Sequence, residues 1–320
     1  MAGAAEAAIY GQVSTDLEAA LVSLRPALLR HCYRMMGSFA EAEELVQDVL
    51  ERAWKVRSTY RGEAPAQRWL YAIATNACID ALAQRRRRRE LPQLESAPLA
   101  DDSLLGEPEP EPERWLTPAA DRTLFAAPDE ALESRETVAL AFVALLQRLP
   151  ARQRAVLVLK DILDWSAEEI ASTLGLSVSS VSSALHRARA NVQRDSGATE
   201  EPSTETLSAF LRVWSRHDVD GLVALLRDDV TLAMPPWAAW FAGVSLAGRF
   251  LRSARFGAVW SRLTRVVPTR ANGLPALAFF RTDAGVDVPH ALLVARFRAE
   301  RVAEMTVFIG AGNFAGFDFS

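Results

Sequence analysis

Seven side chains between residues 178 and 190 are of types that meet nucleic acid, and they recur at helical spacing. Ser179, Ser180, Ser182, Ser183, His186, Arg187 and Arg189 offer hydroxyls, an imidazole and two guanidiniums, the groups that read base edges and hold phosphates in a major groove. A second set lies upstream. Arg85, Arg86, Arg87, Arg88 and Arg89 are adjacent cations that repel one another and favour a polyanion. Trp69 and Tyr71 precede them, a combination in which unstacked bases lie on rings while arginines hold the backbone. A third set, Glu44, Gln47, Asp48 and Glu51, lines one side of a helical pattern. Solvation alone accounts for such a face unless a partner covers it.

Each set needs an element to hold it. Ser166 stands three residues before Glu169, the spacing of a capping box, and Ile170 and Leu174 follow on one face. Gly175 supplies a left-handed turn and Ser177 caps a second helix whose Val181 and Leu185 point inward. This is a helix-turn-helix, with residues 134–149 and 151–163 completing a small four-helix body. Upstream, residues 16–36 predict a helix with Leu17, Leu21, Leu24, Leu28 and Met35 apolar, broken at Gly37. Ser38 caps the next, residues 40–56, with Ala42, Leu45, Val46, Val49, Ala53 and Val56 inward. A third helix over 66–88 carries Leu70, Ile73, Ala77 and Ala81 on its core stripe and leaves Trp69, Asn76 and Asp80 off it.

A chain of 320 residues, half of them apolar, is expected to form two or three domains. The net charge of −4 suits a DNA binder poorly until it is divided. Residues 1–89, 134–197 and 198–320 carry +3, +2 and +1, whereas residues 90–133 carry −10. That acidic segment contains the alternating Glu107-to-Glu113 run with proline at every second position. Such a run resists helix and sheet and reads as an extended linker, with Trp115-Leu116 as one docking point. Cys32 and Cys78 sit inside helical patterns and read as core, with no partner at metal-ligand spacing. No apolar run reaches a membrane span of roughly 18 residues, and the N-terminal residues do not form a secretory signal. The expectation is a soluble cytoplasmic protein with no cofactor and no metal.

Beyond residue 204 the pattern changes to a helix pair followed by strand-like runs at 230–234, 276–281, 290–297 and 302–309, with a helix at 245–254. Helices followed by antiparallel strands predict an α+β domain. Trp237, Trp240, Phe241, Phe256, Trp260, Phe279, Phe280, Phe297 and Phe308 would give its sheet an aromatic interior, either packed core or ligand pocket. His217 beside Asp218 reads as a helix-end turn. His290 near Asp287 is the better acid–base candidate, but a lone histidine there is ordinarily structural, and no catalytic residue is assigned.

In order along the chain, the segments LRHCYRMMG (29–37), AEELVQDVLERAW (42–54), WLYAIATNACIDAL (69–82), 149–171 and SSALHRARA (182–190) resemble the extracytoplasmic-function type of bacterial sigma-70 factor. The linker's WLTP (115–118) and the MPPW at 234–237 resemble the sigma-G-like subfamily with a C-terminal SnoaL-like domain. The resemblance implies a multidomain fold: two all-α sigma domains joined by the acidic, proline-rich linker, then an α+β cone-shaped barrel. Its divisions would be a flexible 1–14, region 2 over 15–89, linker 90–133, region 4 over 134–195, hinge 196–203 and SnoaL-like domain 204–320.

The resemblance also implies roles. Glu44, Gln47, Asp48 and Glu51 would dock on the clamp of the polymerase's largest subunit, and region 4 on the flap of the second-largest. Trp69, Tyr71 and Asn76 would capture the −10 strand, with Arg85, Arg86, Arg87 and Arg88 on upstream phosphates. Ser179, Ser180, Ser183, His186, Arg187 and Arg189 would read the −35 element. Ser182 and Ala184 stand where minimal members often carry Lys or Arg, which moves the expected readout to the neighbouring serines and Arg187. The third domain would modulate activity, with room for a small-molecule ligand. The rival readings are a stand-alone helix-turn-helix regulator with a ligand-sensing domain, which would bind duplex as a dimer without polymerase, and a cyclase- or isomerase-like enzyme fused to a DNA-binding module.

Overall fold

The computed structural model describes residues 17–60, 62, 65–85, 87–101, 106–108, 112–125, 136–192 and 200–319. The expected flexible 1–14 segment, Arg86, part of the Glu-Pro run and the first half of the hinge lie outside the described residues. The chain divides into two compact units. No helix among the described residues is long and apolar enough to cross a membrane.

The first unit, comprising 1–88, 123–131 and 145–195, is helical. Helices α1 (Arg25–Met36), α2 (Phe39–Lys55) and α3 (Ala66–Gln84) bury Leu28, Cys32, Met35, Val46, Val49, Leu70 and Cys78 against one another. Gly37 in the left-handed region (φ 68°) ends α1, and the Ser38 hydroxyl caps α2 through the Glu41 amide. Cys32 and Cys78 are buried free thiols. Their mutual hydrogen bond and their burial push the Cys78 thiol up.

Helix α4 (Leu140–Gln147) spans the division, its residues up to Ala144 belonging to the second unit and those from Leu145 to the first. Helix α5 (Ala151–Leu157) widens at Val158–Ile162, where the Leu163 amide reaches back five residues to the Val158 carbonyl. Helices α6 (Ala167–Leu174) and α7 (Val178–Val192) form the expected helix-turn-helix. Its Ser166–Glu169 capping box is made in both directions and Gly175 turns at φ 62°. Val181, Ala184 and Ala188 are the buried side of α7, with Leu185 only half-buried.

The second unit, comprising 89–122, 132–144 and 196–320, is α+β. After α8 (Thr204–Ser215) and α9 (Val219–Ala224) come β1 (Leu226–Ala233), β2 (Trp240–Ala242), α10 (Val244–Leu251), α11 (Ala254–Trp260), β3 (Leu263–Ala271), β4 (Leu274–Asp283), β5 (Val286–Arg298) and β6 (Arg301–Ile309). The sheet runs β2-β1-β6-β5-β4-β3. All pairs are antiparallel except β1 with β6, which is parallel, so the purely antiparallel expectation is corrected to a mixed sheet. Asn272-Gly273 form a two-residue turn, both at positive φ, that fixes the β3–β4 register.

The acidic segment is also corrected: it is not a tether with a single docking point. Leu91, Trp115, Leu116, Ala119 and Ala120 are buried within this unit, and Pro92 opens a helical turn, Pro92–Glu95. Asn272 exchanges hydrogen bonds of 2.9 Å with Ala119 in both directions, and Asp121 accepts from the Gly273 amide at 2.8 Å. Apolar residues interspersed among the carboxylates supply the burial that the charge density conceals.

Buried His31 sets a pH limit on the first unit. It lies wholly inside the α1–α3 core with Nε2 2.9 Å from the Thr75 hydroxyl, and burial, aided by Arg34, lowers its pKa to about 3. The folded unit holds it neutral, so this stability is complete above the unfolded value near 6.5 and is lost as pH falls toward 3. Hydrogen exchange of the α1 amides should show opening easier by up to about 1.4 kcal/mol per pH unit below pH ~6.5. His31→Gln should flatten that slope; an equal slope in both proteins would contradict the assignment.

Candidate nucleic-acid interface and ligand cavity

The two halves expected to touch promoter DNA are packed together inside the first unit. The contact centres on Arg154, 3% exposed. Its guanidinium donates to the Met35 carbonyl at the end of α1, to Gln147 Oε1 at 2.6 Å, and to the Gln147 and Leu149 carbonyls at 3.1 Å. Gln147 in turn donates to the Arg34 carbonyl at 3.1 Å. Helix ends leave such carbonyls unsatisfied, and a buried cation is the donor that satisfies several at once. Burial, with Arg85 adding, lowers Arg154 to about 9, which leaves it charged at neutral pH. The sequence reading missed this residue. Its signal was position: Arg154 lies on the same stripe as Leu157 and Val158, inside an apolar run.

The surface of α3 that would meet the −10 strand faces α6. Arg68 pairs with Glu169 and lies 5.9 Å over the Trp165 ring, and Asn76 Nδ2 reaches the Thr173 carbonyl at 3.5 Å. Trp69 is half-buried against Tyr60, with ring centroids 5.3 Å apart. Tyr71 differs from expectation. It is 3% exposed, edge-on to His31, and burial pushes its phenol up. Tyr71 belongs to the core stripe with Leu70, Ala74 and Cys78, because α3 is turned slightly from the face its leucines suggested.

The arginine run is likewise divided. Arg85 pairs with Glu41 and donates to the Met36 carbonyl, and Arg89 is buried with a 2.7 Å bond to the Trp115 carbonyl in the second unit. Arg87 and Arg88 are exposed. Glu44, Gln47, Asp48 and Glu51 are all exposed along α2.

On α7, Ser183, His186 and Arg187 are exposed. The Ser177 hydroxyl accepts from the Ser180 amide at 3.1 Å and meets both the Ser179 and Ser180 hydroxyls, so two expected readers also serve the cap. Arg189 is held by Asp161 in a bidentate pair of 2.9 and 2.6 Å.

The sheet of the second unit curls around a cavity of about 100 Å³ whose lining is almost wholly apolar. Its walls include Trp214, Phe256, Trp260 and Phe279, packed ring to ring with centroids 4.9–6.3 Å apart. Trp214 and Phe250 were missed in sequence. Phe280 leaves the expected interior and packs against Phe314 and Phe319 instead, and the Trp240 indole bonds the Ser96 carbonyl. A bulge in β5 sets His290 between Pro289, paired to Phe280, and Ala291, paired to Phe279, and re-aims it into the cavity. Burial, with Arg281 adding, lowers its pKa. Asp287 pairs with Arg265 at 3.1 Å and meets Thr282. His217 does not line the cavity and bonds the Trp260 carbonyl at 3.0 Å.

Residues 21–88 match the model of sigma-70 region 2, and residues 139–192 match that of sigma-70 region 4. The chain is 37% identical over 312 residues to the ECF RNA polymerase sigma factor SigG of Mycobacterium tuberculosis, covering 94% of this chain and 83% of the relative. The chain belongs to the extracytoplasmic-function sigma factors. A probable member, SigI of the same organism, is 28% identical over 63% of the chain and 64% of its own length. The crystal structure of M. tuberculosis SigJ matches with TM-score 0.58 at 20% identity, covering 92% of this chain and 96% of that one, which extends the shared fold across both units. As a sigma factor the chain acts with RNA polymerase in promoter recognition, which decides against a stand-alone helix-turn-helix regulator.

Removing the buried cation should separate the two halves. Arg154→Leu leaves the α1 and Gln147–Leu149 carbonyls without their donor, a loss of about 3 kcal/mol. Hydrogen exchange should then rise at the end of α1 and in α5. Unchanged protection there would contradict the role given to Arg154.

Proposed function

We propose that this sigma factor rests in a closed form and opens on core polymerase, and that its α+β domain modulates the exchange. The observation that carries this reading is the packing of α3 on α6. The −10 and −35 elements lie about 25 base pairs apart, some ~85 Å of duplex at 3.4 Å per pair, and packed halves cannot reach both. Exposed Glu44, Gln47, Asp48 and Glu51 are the docking face for the clamp of the largest subunit, and region 4 engages the flap of the second-largest. Trp69 and Asn76 take the −10 strand once α6 leaves, while Arg87 and Arg88 hold phosphates. Ser183, His186 and Arg187 read the −35 element, joined by Ser179 and Ser180 at the start of α7. Arg189 stays tied to Asp161 as a brace.

The α+β domain serves regulation in the cytoplasm rather than catalysis. The support is an apolar cavity whose lining, among the described residues, includes one histidine and no carboxylate. A small molecule in that cavity is the signal this reading gives it.

Transcription from a promoter library with core polymerase is the test. The wild-type chain should yield promoter-specific transcripts. Asp48→Arg with Glu51→Arg should lower affinity for core at least tenfold, reversing two contacts of about 0.7 kcal/mol or more each. Arg187→Ala should cut transcription from −35-dependent promoters while leaving core binding intact. Promoter-specific transcripts unchanged by all three substitutions would overturn the assignment of these surfaces.

A further inference from the structure

The polar groups along the cavity wall can be accounted for one by one. Of its three indoles, Trp237 donates to the Gly106 carbonyl at 2.8 Å and Trp260 to the Trp214 carbonyl at 3.3 Å. Trp214 Nε1 has no acceptor, but its neighbours enclose it fully, out of reach of a molecule in the cavity. Arg255 is exposed and already engaged, with the Gly106 carbonyl as one of its partners. His290 remains. Its imidazole is half-buried in the wall, and among the described residues no protein group bonds either ring nitrogen. The β5 bulge aims it inward, and the Gly310 amide pins its backbone by donating to the His290 carbonyl at 2.8 Å. Burial, with Arg281 adding, lowers its pKa, so at neutral pH the ring is uncharged and offers one donor and one acceptor.

The interior limits what can meet that imidazole. At about 100 Å³ it is of the order of the engineered cavity, ~150 Å³, that holds one benzene molecule. Its walls are aromatic rings already packed edge-to-face and tilted, an arrangement that accepts another ring in kind. Such a wall offers a charged group nothing in place of its water, and among the described lining residues no carboxylate is present to hold a cation. A buried hydroxyl is also costly unless it is paired. A neutral imidazole pairs it in either direction, accepting the O–H on one nitrogen or donating its own N–H to the oxygen.

We propose that the cavity binds a small neutral phenol, with the ring among Trp214, Trp260 and Phe279 and the hydroxyl on His290. This rests on the regulatory reading of the cavity given above and names its ligand class. No covalent step is involved. The rings supply the greater part of the affinity, and His290 is the residue that selects a hydroxylated ring over a bare one.

The test uses the full chain with methyl-labelled methionine. Met234 and Met305 line the cavity, whereas Met35 and Met36 lie in the helical unit. Titration with phenol should shift Met234 and Met305 and leave Met35 and Met36 in place. Cyclohexanol, which keeps the hydroxyl without the aromatic ring, should bind about fivefold more weakly. His290→Leu preserves the bulk of the side chain and removes the polar partner. It should weaken phenol about tenfold and leave toluene bound as well as before. His290→Gln, which keeps a donor and an acceptor, should retain phenol. Phenol bound equally by the wild type and His290→Leu overturns the hydroxyl assignment while the cavity stands as a ligand site. Cyclohexanol matching phenol overturns the aromatic class. If neither phenol nor toluene shifts Met234 or Met305 in the wild type, the ligand reading of the cavity fails as well. Phenol that binds as expected but leaves promoter-specific transcription with core polymerase unchanged overturns the regulatory reading alone.

Discussion

A guanidinium in an apolar interior is tolerable only if its donors are used, and that constraint governs the helical unit. Arg154 meets it by donating to the end of α1 and to the Gln147–Leu149 turn at once. Those carbonyls have few other donors, since both belong to places where regular helix stops. Charge and carbonyl ends therefore depend on one another: apart, each side exposes a group whose burial is costly. With the junction made, α5 and α1 are held together, and α6 is brought against the face of α3 that carries Arg68, Trp69 and Asn76.

Such a joint is strong only while it is dry. Its bonds are several but each is replaceable by water or by another partner, so a partner that binds the parted halves more tightly than the joined ones shifts the equilibrium without breaking a covalent link. A sigma factor needs this property. Its two halves must be apart on a promoter, yet in the free chain Arg68 and Asn76 of α3 meet Glu169 and Thr173 of α6, while the reading face of α7 stays exposed. The weak basic character of α7, where Arg187 is exposed but Arg189 is braced by Asp161, fits a reader that depends on polymerase and on region 2 for most of its grip.

Local rules made much of this legible. The Ser166–Glu169 capping box, Gly175 and the Ser38 cap all follow from side chains reaching their own backbone, and those stand as read. What escaped depended on tertiary neighbours. Tyr71 lies one residue from a leucine of the core stripe, and a rotation of α3 sufficient to bury its ring cannot be seen in the periodicity alone. The arginine run looked uniform, yet the acid beside Arg85 and the carbonyl beside Arg89 come from distant segments. Strand β3 escaped because it carries Arg265, Pro268 and Arg270; as an edge strand it can accommodate a proline. The acidic segment was misjudged for the opposite reason: charge and proline density masked Leu91, Ala119 and Ala120, which are few but buried beside the Trp115-Leu116 already read as a docking point.

The central claim is that the two sigma halves are joined in the free chain and parted on polymerase. A pair of spin labels, on Ala83→Cys in α3 and Ala190→Cys in α7, reports on it directly, because both sites are exposed, neither belongs to a docking or reading surface, and the native cysteines are buried. Double electron–electron resonance should give one short, narrow distance distribution for the free chain. On adding core polymerase it should move outward by more than about 30 Å, roughly one turn of duplex, and Arg154→Leu should broaden it without polymerase. A free chain that already shows the long distance, or a distance unmoved by core polymerase, would contradict the account.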